Sequence, residues 1–335
     1  MSINLYPDTV HSAQLGEPSY YPEIDDACDE IYKATKGFGT DEKAIIATLG
    51  SKDCKERFLI AFRYKEKYGK ELYDLMKKEN SGDFGILTQL LALPIPEAEA
   101  KIIRIATKGF GTKEKLLYSV ICGRSNEEIE ILKKAYFQRY NKDLSILVSS
   151  ELSGDIKKLA MCCLQGIEEK YDPTYHTESK AREDAEKFYK AGQGKWGTDE
   201  ATLFEIICKA PPKYLKLIND AYVNKYEVNL EYALKKELSG KAESAAIFHL
   251  NMKLSPYKTM AEHIKSTCAM MGTDELGLSC AILRYQSVLP QVMMEHTAQF
   301  GKTLQERFRD ELLTRRLHVS FRGTEREEDD VAVYK

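Results

Sequence analysis

Apolar residues recur at helical spacing along most of the chain, and strand-like alternation is rare. The first stripe, Ile24, Ala27 and Ile31, predicts an amphipathic helix. Four further helices follow it, and Pro94 and Pro96 are expected to stop the last one. These four predicted helices cover residues 42–50, 54–67, 72–78 and 84–93.

The same order of helices returns three more times, which predicts an all-α chain of four five-helix repeats. In the second repeat, Ile129, Leu132 and Tyr136 form one apolar stripe, and residues 181–192 open the third repeat with another. The predicted division is an N-terminal tail (1–21), repeats at 22–95, 96–170, 180–256 and 257–323, a linker (171–179) and an acidic C-terminal tail (324–335).

A glycine-rich stretch recurs once per repeat, and we call its four copies loops one to four. Loop one reads Thr-Lys-Gly-Phe-Gly-Thr-Asp-Glu over residues 35–42, and loop two (107–114) is nearly a copy. Loops three and four cover residues 194–200 and 269–275. Glycines on either side of an apolar residue allow positive φ and can turn backbone carbonyls toward one point. The threonine that follows is expected to cap the next helix, whose positive N-terminus suits the acidic residues after it.

A carboxylate accompanies three of the loops at a fixed distance. Glu79, Glu151 and Glu237, called the cap glutamates here, each lie forty residues after the last glycine of loops one, two and three. Ca²⁺ takes about 6–8 oxygen ligands and combines backbone carbonyls, bidentate carboxylates and water. A carbonyl-rich loop paired three times with one carboxylate therefore favours calcium sites.

Glycine-x-glycine-threonine, a spacer of this length and an acidic residue, repeated along the chain, resembles the annexin family. The resemblance runs from about residue 22 to about residue 313. It implies four stacked helical bundles in a curved disk, with every loop on the convex face. It also implies these calcium ligands: Thr35, Gly37, Gly39 and Glu79 at site one; Thr107, Gly109, Gly111 and Glu151 at site two; Gly192, Lys195, Gly197 and Glu237 at site three.

The alternative for any single loop is that its glycines and acidic residues only cap helices. Three matched glutamates favour metal binding over that alternative. The resemblance further implies a weaker secondary ion in each of these loops, for which capping remains an equal alternative. Its ligands would be Thr40 with Glu42, Thr112 with Glu114, and Thr198 with Glu200.

A large apolar side chain stands at each loop tip, and in loops one to three a lysine precedes it by one or two residues. Such tips have little core to reach, and aromatic rings favour the membrane interface, so we expect them to contact lipid. The alternative for the apolar tips is that they fold back over the neighbouring helix. The alternative for the lysines is that they are ordinary solvated surface residues. The expected membrane contacts are Phe38, Phe110, Trp196, Met271, Lys36 and Lys108.

The fourth repeat departs from the pattern. Met270 replaces the first glycine, and Glu311 lies only thirty-nine residues after Gly272, with no glycine following it. A fourth calcium site at Gly272 and Glu311 is therefore doubtful. Arg124 and Arg284 resemble arginines that annexins place along a polar central channel, although ordinary buried ion pairing is the favoured interpretation.

Composition limits the partners. The 335 residues carry a formal net charge of −3 and no long basic run, which argues against nucleic acid and against a purely electrostatic grip on lipid phosphate. No apolar run reaches the ~18 residues of a membrane span, and the N-terminus lacks a signal-peptide pattern. The eight cysteines form no disulfide framework in a chain of this length. We expect a cytoplasmic monomer that joins membranes when calcium rises.

Three functions compete. The leading one is Ca²⁺-dependent, reversible binding to acidic phospholipid membranes, with bridging or ordering of those membranes as an extension. The second, also on the annexin fold, is a structural role in association with cytoskeletal proteins. The third is an enzyme, disfavoured because the loops lack the glycine spacing of a P-loop and the six histidines form no motif with cysteines or carboxylates.

Overall fold

The structure is a computed structural model that describes residues 2–7, 10, 19–37, 39–109, 111–194, 197–269 and 272–312. For residues 269, 272, 273 and 310–312 only the backbone is described. Within these ranges the chain is helical almost throughout, which confirms the all-α class. None of the described helices is long and apolar enough to cross a membrane.

Five helices occupy each of the first three predicted repeats. The first set is α1 (Pro22–Ala34), α2 (Glu42–Gly50), α3 (Cys54–Tyr68), α4 (Leu72–Glu79) and α5 (Gly82–Leu91). The second is α6 (Ile95–Ala106), α7 (Glu114–Ile121), α8 (Asn126–Tyr140), α9 (Leu144–Glu151) and α10 (Gly154–Leu164). The third is α11 (Glu178–Ala191), α12 (Glu200–Lys209), α13 (Pro212–Tyr226), α14 (Leu230–Glu237) and α15 (Gly240–Leu254).

Four α-helices of the last predicted repeat lie in the described residues: α16 (Pro256–Thr267), α17 (Glu275–Tyr285), α18 (Leu289–Phe300) and α19 (Leu304–Leu312). A short 3-10 helix, Gln286–Val288, joins α17 to α18. Two short β-strands, which the sequence did not predict, lie at loop four. Cys268–Ala269 (β1) and Gly272–Thr273 (β2) pair in antiparallel fashion, with Cys268 opposite Thr273 and Ala269 opposite Gly272.

The predicted apolar stripes are buried. In α1 the buried residues include Ile24, Ala27 and Ile31, and in α8 they include Leu132 and Tyr136. Burying one such side chain contributes about 1.5–3 kcal/mol relative to leaving it exposed. Tertiary packing of these stripes therefore stabilises helices as short as eight residues, which would be marginal alone.

One predicted helix boundary is wrong. Pro96 was expected to stop the fifth helix, but it lies in the first turn of α6, which begins at Ile95. Proline is well tolerated in a first turn, where its missing N–H has no helical partner. The preceding helix has already ended at Leu91, with Ala92 as its C-cap.

The chain forms two compact units. One comprises Met1–Asn4 and Ala100–Thr259, and the other comprises Leu5–Glu99 and Met260–Lys335. Residues of the predicted tail are part of these units. Leu5 and Tyr6 are buried in the second unit, where Ser287 Oγ donates to Leu5 O at 2.8 Å and the Tyr6 hydroxyl donates to Glu99 Oε2.

Candidate calcium loops

Each of the four loops is closed by the same backbone hydrogen bond. An amide at the start of the second helix of the repeat donates to a carbonyl at the end of the first helix. The donor follows the acceptor by seven residues in loops one, two and four and by eight in loop three, so loop three is one residue longer. The bonds are Asp41 N to Ala34 O (2.8 Å), Lys113 N to Ala106 O (2.8 Å), Asp199 N to Ala191 O (2.7 Å) and Asp274 N to Thr267 O (2.8 Å).

The glycines of loops one and two adopt the conformation that the sequence predicts. Gly37 has φ of 113° and Gly39 of 88°, and Gly109 and Gly111 have 112° and 82°. In loop three, Gly197 has φ of 81°. A side chain at these positions would be strained even though open space surrounds each one. Matching backbone angles give loops one and two the same turn.

The threonine at the end of each of these loops contacts the cap glutamate of its own repeat. All three cap glutamates are half-buried. In each repeat the hydroxyl donates to one carboxylate oxygen and holds the carboxylate against the loop. The bonds are Thr40 Oγ1 to Glu79 Oε2 (3.0 Å), Thr112 Oγ1 to Glu151 Oε2 (2.9 Å) and Thr198 Oγ1 to Glu237 Oε2 (2.7 Å).

These contacts correct the predicted role of the threonines as helix caps. In loops one and three, the helix is instead capped by the aspartate that follows the threonine. Asp41 Oδ1 accepts a hydrogen bond from Ala44 N at 3.1 Å. Asp199 Oδ1 accepts from Thr202 N at 3.1 Å. The backbone of Asp41 already forms the loop-closing bond, which places its side chain over the free amides of α2.

Gly192 lies directly against its cap glutamate. It is the C-cap of α11, and a Cβ built on it would fall 2.8 Å from Glu237 Cγ and 3.1 Å from Cδ. Any larger residue would displace the glutamate. The structure thus brings together Gly192 and Glu237, two of the residues predicted for site three.

In site one, a lysine side chain lies beside the cap glutamate. Lys78 Nζ lies 2.8 Å from Glu79 Oε1, while Thr40 holds the other oxygen. The Lys78 ammonium first, and then the Thr40 hydroxyl, lower the pKa of Glu79, so the carboxylate is charged at neutral pH. The residue before Glu151 is Ser150, whose hydroxyl instead donates to Leu147 O at 2.7 Å.

The residues predicted for a secondary ion lie at helix starts. Glu42 and Glu114 are in the first turns of α2 and α7, where a carboxylate favours the helix dipole. Glu200 occupies the same place in α12, and its Oε2 lies 3.1 Å from Lys158 Nζ. The three threonines donate to cap glutamates, so a role in orienting the primary carboxylate accounts for them without a second ion.

Of the predicted lipid contacts, Lys36 and Lys108 are exposed, and Lys36 Nζ lies 5.6 Å from the centre of the Tyr32 ring. The remaining predicted tip residues, together with one predicted ligand of site three, lie outside the described residues. They are Phe38, Phe110, Lys195, Trp196 and Met271.

Loop four keeps part of the arrangement. Asp274 caps α17, with Oδ1 accepting from Gly277 N at 2.9 Å. Gly272 pairs in the short strand ladder, and Glu311 lies in the last turn of α19. The side chain of Glu311 lies outside the described residues, so its distance to loop four stays untested.

Arg124 and Arg284 are both in buried ion pairs, as the favoured interpretation predicts. Arg124 Nη1 lies 3.2 Å from Glu128 Oε2, and Arg284 Nη1 lies 2.9 Å from Glu99 Oε1. All four side chains are at most 1% exposed. A buried pair of this kind is costly to break, because the remaining charge would lack compensation.

Sequence reasoning missed one group of residues. His249 was expected to join no cysteine motif, but its Nδ1 lies 3.3 Å from Cys163 Sγ in the core of one unit. Burial first, and then the Lys253 cation, lower the pKa of His249 to about 3, so the imidazole is neutral. One sequence signal was that Cys122 and Cys208 lie eleven residues after their loop glycines, which indicated equivalent core positions; a second, which was missed, is that Cys163 and His249 each lie twelve residues after a cap glutamate.

Comparison with known proteins agrees with this architecture. The family model described as Annexin matches residues 25–91, 98–162 and 183–247. Human annexin A3 is 33% identical over 288 residues, covering 86% of this chain and 88% of annexin A3. The solved structure of annexin III is similar with a TM-score of 0.81 at 31% identity, covering 88% of this chain and 91% of that one. A calcium-bound structure of annexin (Sm)1 has a TM-score of 0.73 at 23% identity, with 88% and 90% covered.

The chain therefore belongs to the annexin family. Annexins are generally non-enzymatic proteins that bind acidic phospholipid membranes in a calcium-dependent manner. Their solved structures include calcium-bound forms.

Proposed function

We propose that this annexin binds acidic phospholipid membranes reversibly when Ca²⁺ occupies loops one to three. Each site would use the loop carbonyls together with one cap glutamate. Loop four would contribute little, because methionine replaces its first glycine. We also propose the repeat boundaries 22–95, 96–170, 180–256 and 257–323, with 171–179 as a linker.

The observation that carries this proposal is the threonine–glutamate hydrogen bond found in all three loops. It holds a carboxylate beside a turn whose last glycine, Gly39, Gly111 or Gly197, has positive φ. The carbonyls at a helix C-terminus lack helical partners and sit at its negative end, so they favour a cation. Pre-positioned ligands reduce the entropy lost when the ion binds.

One carboxylate per site implies weak affinity for the free ion. Sites with few charged ligands bind Ca²⁺ at about 10⁻⁵–10⁻³ M. Three carbonyls and a bidentate carboxylate leave room for water or for a phosphate oxygen of a lipid. A lipid phosphate would complete the coordination shell, which couples calcium binding to membrane binding.

Charge supports a metal bridge over direct contact. The chain is net acidic at −3, so its overall charge opposes an anionic surface. Lys36 and Lys108 are exposed beside loops one and two and could meet individual headgroup phosphates. The apolar loop tips would enter the interfacial layer beside the ions. With several loops engaged, bridging or ordering of membranes is a further part of the proposal.

Co-sedimentation with phosphatidylserine vesicles tests the proposal. We expect the protein to pellet with vesicles in Ca²⁺ and to return to the supernatant after chelation. Phosphatidylcholine vesicles are the control for headgroup charge. Equal pelleting in excess chelator would contradict the proposal, as would a protein that stays in the supernatant at millimolar Ca²⁺.

A further inference from the structure

Three thiols and one imidazole meet in the core of the unit that contains residues 100–259. Cys122 follows α7, and the other three residues lie in α10, α12 and α15. All four are buried, with exposures between 0% and 7%. We call Cys122, Cys163, Cys208 and His249 the thiol–imidazole cluster.

Three of the distances within the cluster, all measured from Cys163, match edges of a metal-ligand tetrahedron. Cys163 Sγ lies 3.9 Å from Cys122 Sγ, 3.9 Å from Cys208 Sγ and 3.3 Å from His249 Nδ1. Two sulfurs bound tetrahedrally to Zn²⁺ at about 2.3 Å are about 3.8 Å apart, and a sulfur and a nitrogen about 3.6 Å. The donor atoms of Cys122, Cys163 and His249 all lie within 4.8 Å of one another, and Cys208 is not part of this mutually close group.

Hydrogen bonds orient the imidazole for this role. His249 Nε2 lies 3.3 Å from Ile207 O, a contact that fixes the proton on Nε2 and leaves Nδ1 as the acceptor. The nitrogen that faces Cys163 is therefore the one with a lone pair. Metal-binding histidines are generally held by such a bond from the other ring nitrogen. Gly123 N also donates to Nδ1 at 3.1 Å, and that bond would be released when a metal binds.

A buried lysine and a small cavity adjoin the cluster. Lys253 Nζ donates to Ile207 O at 2.9 Å and Cys208 O at 3.1 Å, which places a buried cation beside the cluster. Zn²⁺ with three thiolates and a neutral imidazole would carry one net negative charge, and the Lys253 ammonium, which already pairs with Glu168 Oε2 at 3.0 Å, would be shared between that carboxylate and the metal centre. Cys163, Cys208 and His249 also line one small cavity.

We infer that the thiol–imidazole cluster is a binding site for a thiophilic divalent cation such as Zn²⁺. Cys122, Cys163 and His249 are the primary ligands, and Cys208 becomes the fourth by rotation of its side chain. Three cysteines and one histidine are a common ligand set of structural zinc sites. This site differs from the loops in ligand chemistry, because thiolate and imidazole select zinc while oxygen ligands select calcium.

The experiment uses Co²⁺ as a spectroscopic probe of the full chain, with Ca²⁺ in excess to occupy oxygen-rich sites. Co²⁺ is added during refolding from urea, so that the buried ligands are accessible. We expect one bound Co²⁺ per chain and a thiolate-to-cobalt charge-transfer band. One equivalent of Zn²⁺ should displace the Co²⁺ and abolish the band. The Zn²⁺-loaded protein should also unfold at a higher temperature than the metal-free protein.

Cys163→Ser removes the central ligand at nearly constant volume. We expect it to lose the charge-transfer band and to bind Zn²⁺ more than about 100-fold more weakly, since even loss of an outer-shell partner costs 10–100-fold. Cys28→Ser is the matched control, because Cys28 is also buried but donates to Ile60 O at 3.8 Å outside the cluster. This control should behave as wild type.

Two results would overturn the inference. One is a natively folded wild type that shows no charge-transfer band with Co²⁺, and the other is a Cys163→Ser chain with unchanged Zn²⁺ affinity. If Cys163→Ser does not fold, Cys122→Ser carries the same prediction and the same test. Vesicle binding plays no part in the readout, so failure here is distinguishable from failure of the proposed membrane function.

Discussion

The threonine–glutamate contact allows a specific test of how the loops are built. Thr112→Val keeps nearly the same volume but removes the hydroxyl that donates to Glu151 Oε2 at 2.9 Å. The carboxylate would then be free to rotate away from loop two. We expect the calcium affinity of site two to fall, because the oriented carboxylate is the only charged ligand proposed there.

The size of the effect follows from the hydrogen bond. A bond to a charged acceptor contributes about 1.5–3 kcal/mol. Thr112 and Glu151 are only half-buried, so water can replace part of this energy. We therefore expect a loss of about 1.4 kcal/mol, which is tenfold in the calcium affinity of that site. The triple variant with Thr40→Val and Thr198→Val should lose more, since several sites on one membrane act through avidity.

The assay is a Ca²⁺ titration of binding to phosphatidylserine vesicles, followed by sedimentation. Its midpoint should rise in Thr112→Val and rise further in the triple variant. Thr297→Val is the matched control, because its hydroxyl donates to a helix carbonyl, Met293 O, at 3.0 Å. Circular dichroism would show that each variant keeps its helices.

Two results would refute this reasoning. An unchanged midpoint in the triple variant would mean that the threonines do not position the carboxylates. A lower midpoint would mean that the hydroxyls compete with calcium for the same oxygen.

Three further predictions concern other residues. Trp196, the only tryptophan, should shift its emission to the blue only when Ca²⁺ and lipid are both present, because its ring would leave water for the interface. Glu79 should titrate below its ordinary pKa, and Lys78→Met should raise the pKa of Glu79. In the wild type, the stability that the charged carboxylate contributes is fully present above its unfolded-state pKa. This stability is lost as pH falls through the lowered folded-state pKa. Glu99→Gln should reduce the free energy of unfolding by about 3–5 kcal/mol, since it leaves the charge of Arg284 buried without its carboxylate.

Each of these three predictions has its own measurement. An unchanged tryptophan spectrum under full vesicle binding would show that loop three does not insert. A carboxyl resonance of Glu79 that titrates identically in Lys78→Met would remove the lysine as the cause. For the buried pair, urea denaturation is the measurement, and the double variant Glu99→Leu with Arg284→Met should recover part of the loss, because the buried Tyr6 hydroxyl would still lack its Glu99 acceptor. A Glu99→Gln chain as stable as wild type would contradict the argument.

Much of the fold could be predicted from the sequence because its signals are local and repeated. Apolar spacing predicts the helices directly, and Ile24 and Ile31 are buried as expected. Positive φ at Gly37 and Gly39 likewise follows from the glycines themselves. Boundaries were less certain, as Pro96 shows, because proline is compatible both with the end of one helix and with the start of the next.

Contacts between distant residues could not be predicted in the same way. Thr40 was expected to cap a helix, and its bond to Glu79 depends on how two loops approach each other in space. The thiol–imidazole cluster is another example, because its four residues come from separate helices or their ends, and equivalent positions in two repeats do not show that those positions meet in the core. Burial of Tyr6 against Glu99 likewise depends on where the chain passes, which no local pattern encodes.

The central claim, that three cap glutamates carry calcium-dependent membrane binding, is tested most directly by replacing them. Glutamine keeps the size of each side chain and one acceptor oxygen but removes the charge and the bidentate grip. In a Ca²⁺ titration of vesicle binding, the triple variant Glu79→Gln, Glu151→Gln and Glu237→Gln should need far more Ca²⁺ than wild type, with each single variant intermediate. Glu311→Gln should differ little from wild type. A triple variant with the wild-type midpoint, or a Glu311→Gln chain as impaired as Glu151→Gln, would contradict the account.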